Sequence, residues 1–149
     1  LHNRKHSFPT RRSSDLGARP GLEVVLNGGV DSLDAAEGWL ARGFPGVMIG
    51  RAAYHEPAAV LAAADRRLFG APGPDADPAA AARGLLDYVE EELAAGERLH
   101  RVVRHWLGLF HGRRGARGFR RVLSEESRAP GAGPEVVERA LAEVEPAAA

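Results

Sequence analysis

The chain has 149 residues, 44% of them hydrophobic, with twenty Lys and Arg balanced by twenty Asp and Glu and no cysteine. That length supports one domain with a buried core and falls short of a complete (β/α)8 barrel, which takes roughly 250 residues. The missing cysteines exclude a disulfide scaffold, a Cys-ligated metal and a Cys nucleophile on this chain, and the longest apolar run, Ala58 to Ala64, is far too short for a bilayer span.

Residues 1–16, LHNRKHSFPTRRSSDL, differ from everything that follows. They hold the only Lys and the only Thr of the chain, Lys5 and Thr10, and four basic residues against one acid, Asp15. No apolar stretch of a secretory signal is present. A basic arm for RNA is one reading. The preferred one is a segment foreign to the gene, because FPTRRSSDL resembles translated adapter sequence. Residues 1–20 are expected to be poorly ordered and carry no functional argument.

A β-α-β-α pattern follows. Leu22 to Leu26 is a short β-branched run stopped by Asn27-Gly28-Gly29. Asp31 or Ser32 can cap a helix whose Leu33, Ala36 and Leu40 share one face, and Gly43 can end it. Gly46 to Ile49 is a second buried strand ended by Gly50-Arg51, and a further helix is expected from about Glu56-Pro57, with Val60, Leu61, Ala64 and Leu68 inward. Two strands joined by one helix run parallel. Both glycine turns follow a strand and precede a helix, where glycine permits positive φ and exposed N–H groups suit a phosphate. Ordinary tight turns are the plainer alternative; two such turns, one helix apart, favour phosphate.

Pro72, Pro74 and Pro78 with Gly70 and Gly73 mark a linker at 71–77. Beyond it, four amphipathic helices are expected at about 78–95, 97–111, 115–125 and 134–145. The second carries Leu99, Val102, Val103, Trp106, Leu107 and Phe110 at helical spacing. Short loops between four such helices favour an antiparallel bundle. The fold class is therefore α/β plus all-α: the last two βα units of a truncated TIM (β/α)8 barrel, residues 21–70, then a four-helix bundle domain, residues 78–146.

The zero net charge hides a basic block. Eight arginines lie between Arg98 and Arg121 with no Asp or Glu among those 24 residues, whereas the preceding 24 hold seven acids and one arginine. Guanidinium groups match phosphate and stack on bases. A solvated face paired with the acidic neighbour helix is the plainer account, and the sequence balances the two evenly. The spacings of His100, His105 and His111 do not make a helical metal pair, so packing or surface roles are favoured and no metal is expected.

The strings VLNGGV, GVMIGRAAYHEP and HWLGLFHGRRGARGFRRVLSE, spread over residues 22–145, resemble the C-terminal part of bacterial tRNA-dihydrouridine synthases of the A-type. That resemblance implies an FMN-binding barrel followed by a helical tRNA-binding domain, with NADPH reducing the flavin and the flavin reducing uridine to dihydrouridine in the tRNA D-loop. It implies FMN-phosphate contacts at Asn27, Gly28, Gly29, Gly50 and Arg51, and tRNA contacts at Arg117 and Arg120, with Arg121 a weaker match. The family's catalytic Cys has no counterpart in these residues, so this truncated chain is expected to be inactive alone. A cytoplasmic monomer with no membrane association is also implied. The alternatives are a stand-alone tRNA-binding module without chemistry, or another phosphate-binding barrel oxidoreductase.

Overall fold

The computed structural model describes residues 23–144. The distinct segment at 1–20 and the last residue of the fourth expected helix lie outside the described residues.

Strand β1, Val25–Asn27, and strand β2, Gly46–Met48, flank helix α1, Leu33–Leu40. The strands pair in parallel, Val25 opposite Gly46, Leu26 opposite Val47 and Asn27 opposite Met48. Of the two candidate caps, Ser32 serves α1, its hydroxyl accepting from the Ala35 amide at 3.3 Å. Leu33 and Ala36 are buried, as are Val30 and Val60. One further helix had been expected; the chain instead forms three short ones, α2 (Arg51–His55), α3 (Pro57–Leu61) and α4 (Ala64–Phe69). Pro57 lacks the amide that would continue α2, which breaks the run there. Val25 and Met48 remain 57% and 44% exposed, so one face of the two-stranded sheet is open.

The linker region folds back on α4. The Ala76 amide donates to the Ala62 carbonyl, and Arg66 pairs with Asp75 at 2.6 Å. Asp77 then caps α5, Pro78–Arg83, by accepting from the Ala79 and Ala80 amides, with Pro78 in the first turn as the sequence suggested. Helix α6 is Leu86–Ala94, α7 is Leu99–Val103, α8 is Ala116–Glu126 and α9 is Glu135–Ala142. One continuous core gathers Val89, Leu99, Val103, Phe119, Leu123, Val137 and Leu141, each at most 1% exposed. Phe110 and Phe119 meet edge to face, centroids 4.7 Å apart.

Four unbroken helices do not form, so the four-helix bundle expected from the sequence is not confirmed. The first splits at Gly84-Leu85. The second ends at Val103, and residues 104–113 proceed by tight turns in which amides bond three residues back: Trp106 to Val103, Leu109 to Trp106, His111 to Gly108 and Arg113 to Phe110. Gly108 explains the change. Its backbone lies so close to the His55 carbonyl that a Cβ would overlap it. The segment is shaped by contact with the α2 end, while Trp106, Leu107, Leu109 and Phe110 still reach the core.

Candidate functional site

The parallel ladder decides the geometry of the two glycine corners. Asn27 and Met48 occupy one rung, so the turns that follow them leave the sheet side by side, at the ~4.8 Å spacing of neighbouring strands. Gly28 and Gly29 have φ of +103° and +74°, which side-chain-bearing residues rarely adopt, and a Cβ on either would meet nothing within 4 Å. Open space therefore lies above an exposed backbone. Gly50 differs from expectation. Its φ is −97°, which is not left-handed, and a Cβ there would touch only the Met48 side chain, with Sδ at 3.4 Å. Asn27, Gly50 and Arg51 are all exposed, and Arg51 forms no ion pair among the described residues. An anion reaching both corners would meet amides from each and one guanidinium.

A forked ion pair braces the helix behind the first corner. Arg67 on α4 donates from Nε to Glu37 Oε1 at 2.8 Å and from a terminal nitrogen to Glu37 Oε2 at 2.7 Å, and also reaches Asp34. The guanidinium holds the Glu37 carboxyl below its ordinary range and is itself pushed further up.

The arginines expected to meet RNA lie on α8. At 100° per residue, positions 117, 120, 121 and 124 fall within a sector of about 100°. Arg117, Arg120, Arg121 and Ser124 are all exposed there, while Ala116, Phe119, Val122 and Leu123 on the opposite face are buried. Arg121 lies 3.4 Å from Glu143 and Arg101 lies 3.5 Å from Glu97. Arg98, Arg113, Arg114, Arg117 and Arg120 make no ion pair among the described residues. The carboxylates of α6 make no ion pair with these arginines among the described residues.

Two features escaped the sequence reading. Gly115 (φ +82°) sits where a Cβ would overlap the Glu143 carbonyl, and a Cβ on Gly118 would strike the Glu143 side chain. The glycines of GARG therefore let α8 close on the end of α9, setting where Arg117 and Arg120 project. Their one-turn spacing was the available signal. The second is a seam between the corner helix and the arginine segment. Tyr54 Oη lies 3.0 Å from His105 Nδ1, and Arg104 Nε donates to His105 Nε2 at 2.9 Å. Because Arg104 can only donate, Nε2 accepts, and Nδ1 carries the hydrogen donated to Tyr54. His111 and Glu56 approach to 3.7 Å across the same seam. Among the described residues no group of three or more His, Asp or Glu could hold a metal, and no helix is long and apolar enough to cross a membrane.

The family model described as "Dihydrouridine synthase (Dus)" matches residues 15–145. The chain belongs to the dihydrouridine synthase family. Among curated relatives, the "tRNA-dihydrouridine(20/20a) synthase" of Salmonella typhimurium is 48% identical over 122 residues, 82% of this chain and 36% of the relative. The protein of the same name from Xanthomonas axonopodis pv. citri is 49% identical over 123 residues, 83% of this chain and 36% of the relative. The Escherichia coli K12 protein is 47% identical over 122 residues, 82% of this chain and 35% of the relative. The chain thus spans about a third of the length of the curated dihydrouridine synthases it matches. The two-stranded parallel unit agrees with part of the barrel that this family implies.

Proposed function

We propose that this chain is the C-terminal portion of an FMN-dependent tRNA-dihydrouridine synthase, in which residues 21–70 belong to the flavin barrel, 71–77 link, and 78–146 bind tRNA. The division is supported by the packing: the large core draws only on residues from Ala79 onward, and Val30, Leu33, Ala36 and Val60 form the buried apolar set before it.

The observation that carries the reading is the two-sidedness of α8. Its apolar face is sunk in the core, and Arg117 and Arg120 stand in solvent without a carboxylate partner among the described residues. An unneutralised arginine face has its most favourable partner in a phosphate backbone, where each contact releases counterions. The corners fit the other ligand. Open space over Gly28 and Gly29, with Asn27, Gly50 and Arg51 beside them, suits the FMN phosphate, and bound FMN would supply the hydride chemistry. In this reading NADPH is the reductant, and the acid that serves uridine reduction lies outside a chain that has no cysteine. These residues do the holding: the corners fix the phosphate, α8 and its arginines orient the tRNA, and the Tyr54–His105 seam keeps the two at a set distance.

The test is tRNA affinity as a function of salt for the unaltered chain and for Arg117→Ala with Arg120→Ala. The log-affinity against log-salt slope is expected to fall by ~0.7–0.9 per lost phosphate contact. A folded double variant with unchanged affinity and slope overturns the reading.

A further inference from the structure

Two arginines stand outside the positions that the family resemblance assigns. Arg113 and Arg114 lie between Gly112 and Gly115, whose φ of +75° and +82° bend the chain on either side of them. Both bends are anchored. The Arg113 amide donates to the carbonyl of Phe110, a residue 4% exposed that meets Phe119 edge to face. The Ala116 amide donates back to the Arg113 carbonyl at 3.2 Å, and Gly115 is held against the Glu143 carbonyl. The two side chains therefore ride on a turn fixed at both ends, and a ligand that orders them does not also have to order the backbone.

Arg113 and Arg114 are exposed, and neither makes an ion pair among the described residues. Two acids of the neighbouring segments lie against other side chains: Glu56 against His111 at 3.7 Å and Glu143 against Arg121 at 3.4 Å. With Arg117 and Arg120, four unneutralised cations fall within residues 113–120, a stretch without Asp or Glu. Like charges crowded together repel, and a polyanion relieves that repulsion while releasing its own counterions. The turn is also well placed. His111, two residues before Arg113, faces Glu56 at the end of α2, and α2 begins at Arg51 on the second glycine corner. Helix α8 with Arg117 and Arg120 follows on the other side. The turn thus lies between the two surfaces that one tRNA has to engage at once.

We propose that Arg113 and Arg114 hold backbone phosphates of the bound tRNA. The inference rests on the tRNA-binding reading and takes it to two residues that the resemblance leaves unassigned. A guanidinium fork matches two phosphate oxygens at once. A repeating phosphate backbone is favoured over a single free anion because the four arginines are strung along a turn and the helix after it.

The experiment compares tRNA binding at several salt concentrations for the 149-residue chain, Arg113→Gln with Arg114→Gln, Arg113→Lys with Arg114→Lys, and Arg117→Ala with Arg120→Ala. Arg98→Gln with Arg128→Gln is the charge-matched control, since both are exposed and line a cavity at the other end of α8. Exposed positions leave the core intact, which a far-UV spectrum checks. The Gln pair at 113 and 114 is expected to lower the log-affinity against log-salt slope by ~0.7–0.9 for each phosphate lost. The Lys pair is expected to keep the slope, and the control pair to leave it unchanged. An unchanged slope in the Gln pair, while the Arg117 and Arg120 pair loses affinity, overturns the proposal and leaves the tRNA reading standing. A loss that the control pair matches is an effect of net charge and overturns it as well. Weakened binding to heparin with an unchanged tRNA slope makes the turn a site for other polyanions and overturns the RNA assignment. A folded, unaltered chain without tRNA affinity overturns both readings.

Discussion

Gly115→Ala tests how α8 is seated. Its backbone has φ +82° and ψ −13°, so any side chain there bears left-handed strain of about 1–2 kcal/mol. The new Cβ would in addition overlap the Glu143 carbonyl, and crowding of a packed site costs about 1–3 kcal/mol more. Together these come to ~2–5 kcal/mol out of a typical total near 5–15 kcal/mol. Gly112→Ala is the internal control. It has φ +75° but open space around the added carbon, so it carries the strain without the overlap. Both changes alter the unfolded chain alike, and that contribution cancels. Urea unfolding of the two variants against the unaltered chain should place Gly115→Ala at least about 1 kcal/mol below Gly112→Ala. Its tRNA affinity should fall as well, because Arg117 and Arg120 are carried by the displaced turn. Equal losses in the two variants would refute the close seating of α8 on the end of α9.

Phe119→Ala removes a fully buried ring that meets Phe110 edge to face; a loss of about 3–5 kcal/mol in denaturant unfolding is expected, with a loss under 1 kcal/mol contradicting the core described. Acid should weaken the contacts of α4 with α1 and with the linker. Glu37 and Asp75 have carboxyls depressed by hydrogen bonds from Arg67 and Arg66, so their contribution is fully present above the ordinary values of 4.5 and 3.8 and is lost as pH falls through the lower folded values. Thermal midpoints taken downward from about pH 5 should therefore drop less steeply in Arg67→Met than in the unaltered chain; parallel curves would show that the fork contributes nothing.

Much of this was written in local chemistry. Asn27-Gly28-Gly29 announced a turn because only glycine takes the backbone it requires, and Asp77-Pro78 announced α5 because a carboxylate and a ring with fixed φ suit a helix start. The two-faced character of α8 was legible from Phe119 and Val122 set against Arg117, Arg120 and Arg121. The segment after Val103 was not. Its apolar residues recur every three or four positions, which serves a helix and a chain of three-residue turns equally well, and the choice was made by Gly108 lying against His55, more than fifty residues earlier. The same holds for Gly115 and Glu143. Close approaches between distant segments leave only a glycine as their trace. Gly50 does not use the freedom its residue type offers, because a glycine before a short helix does not by itself require the left-handed region.

The shared rung of Asn27 and Met48 has a consequence for drift. Because both corners hang from one pair of hydrogen-bonded backbones, the gap between them is dictated by peptide geometry and not by any side chain. Helix α1 can exchange most of its outer residues, and the loop before β2 can vary in composition, without moving one corner relative to the other. A slip of a single rung, about 3.3 Å, is the change that would separate them. Selection on this part of the molecule should therefore fall on ladder alignment and on the turn glycines, with the surroundings free to wander.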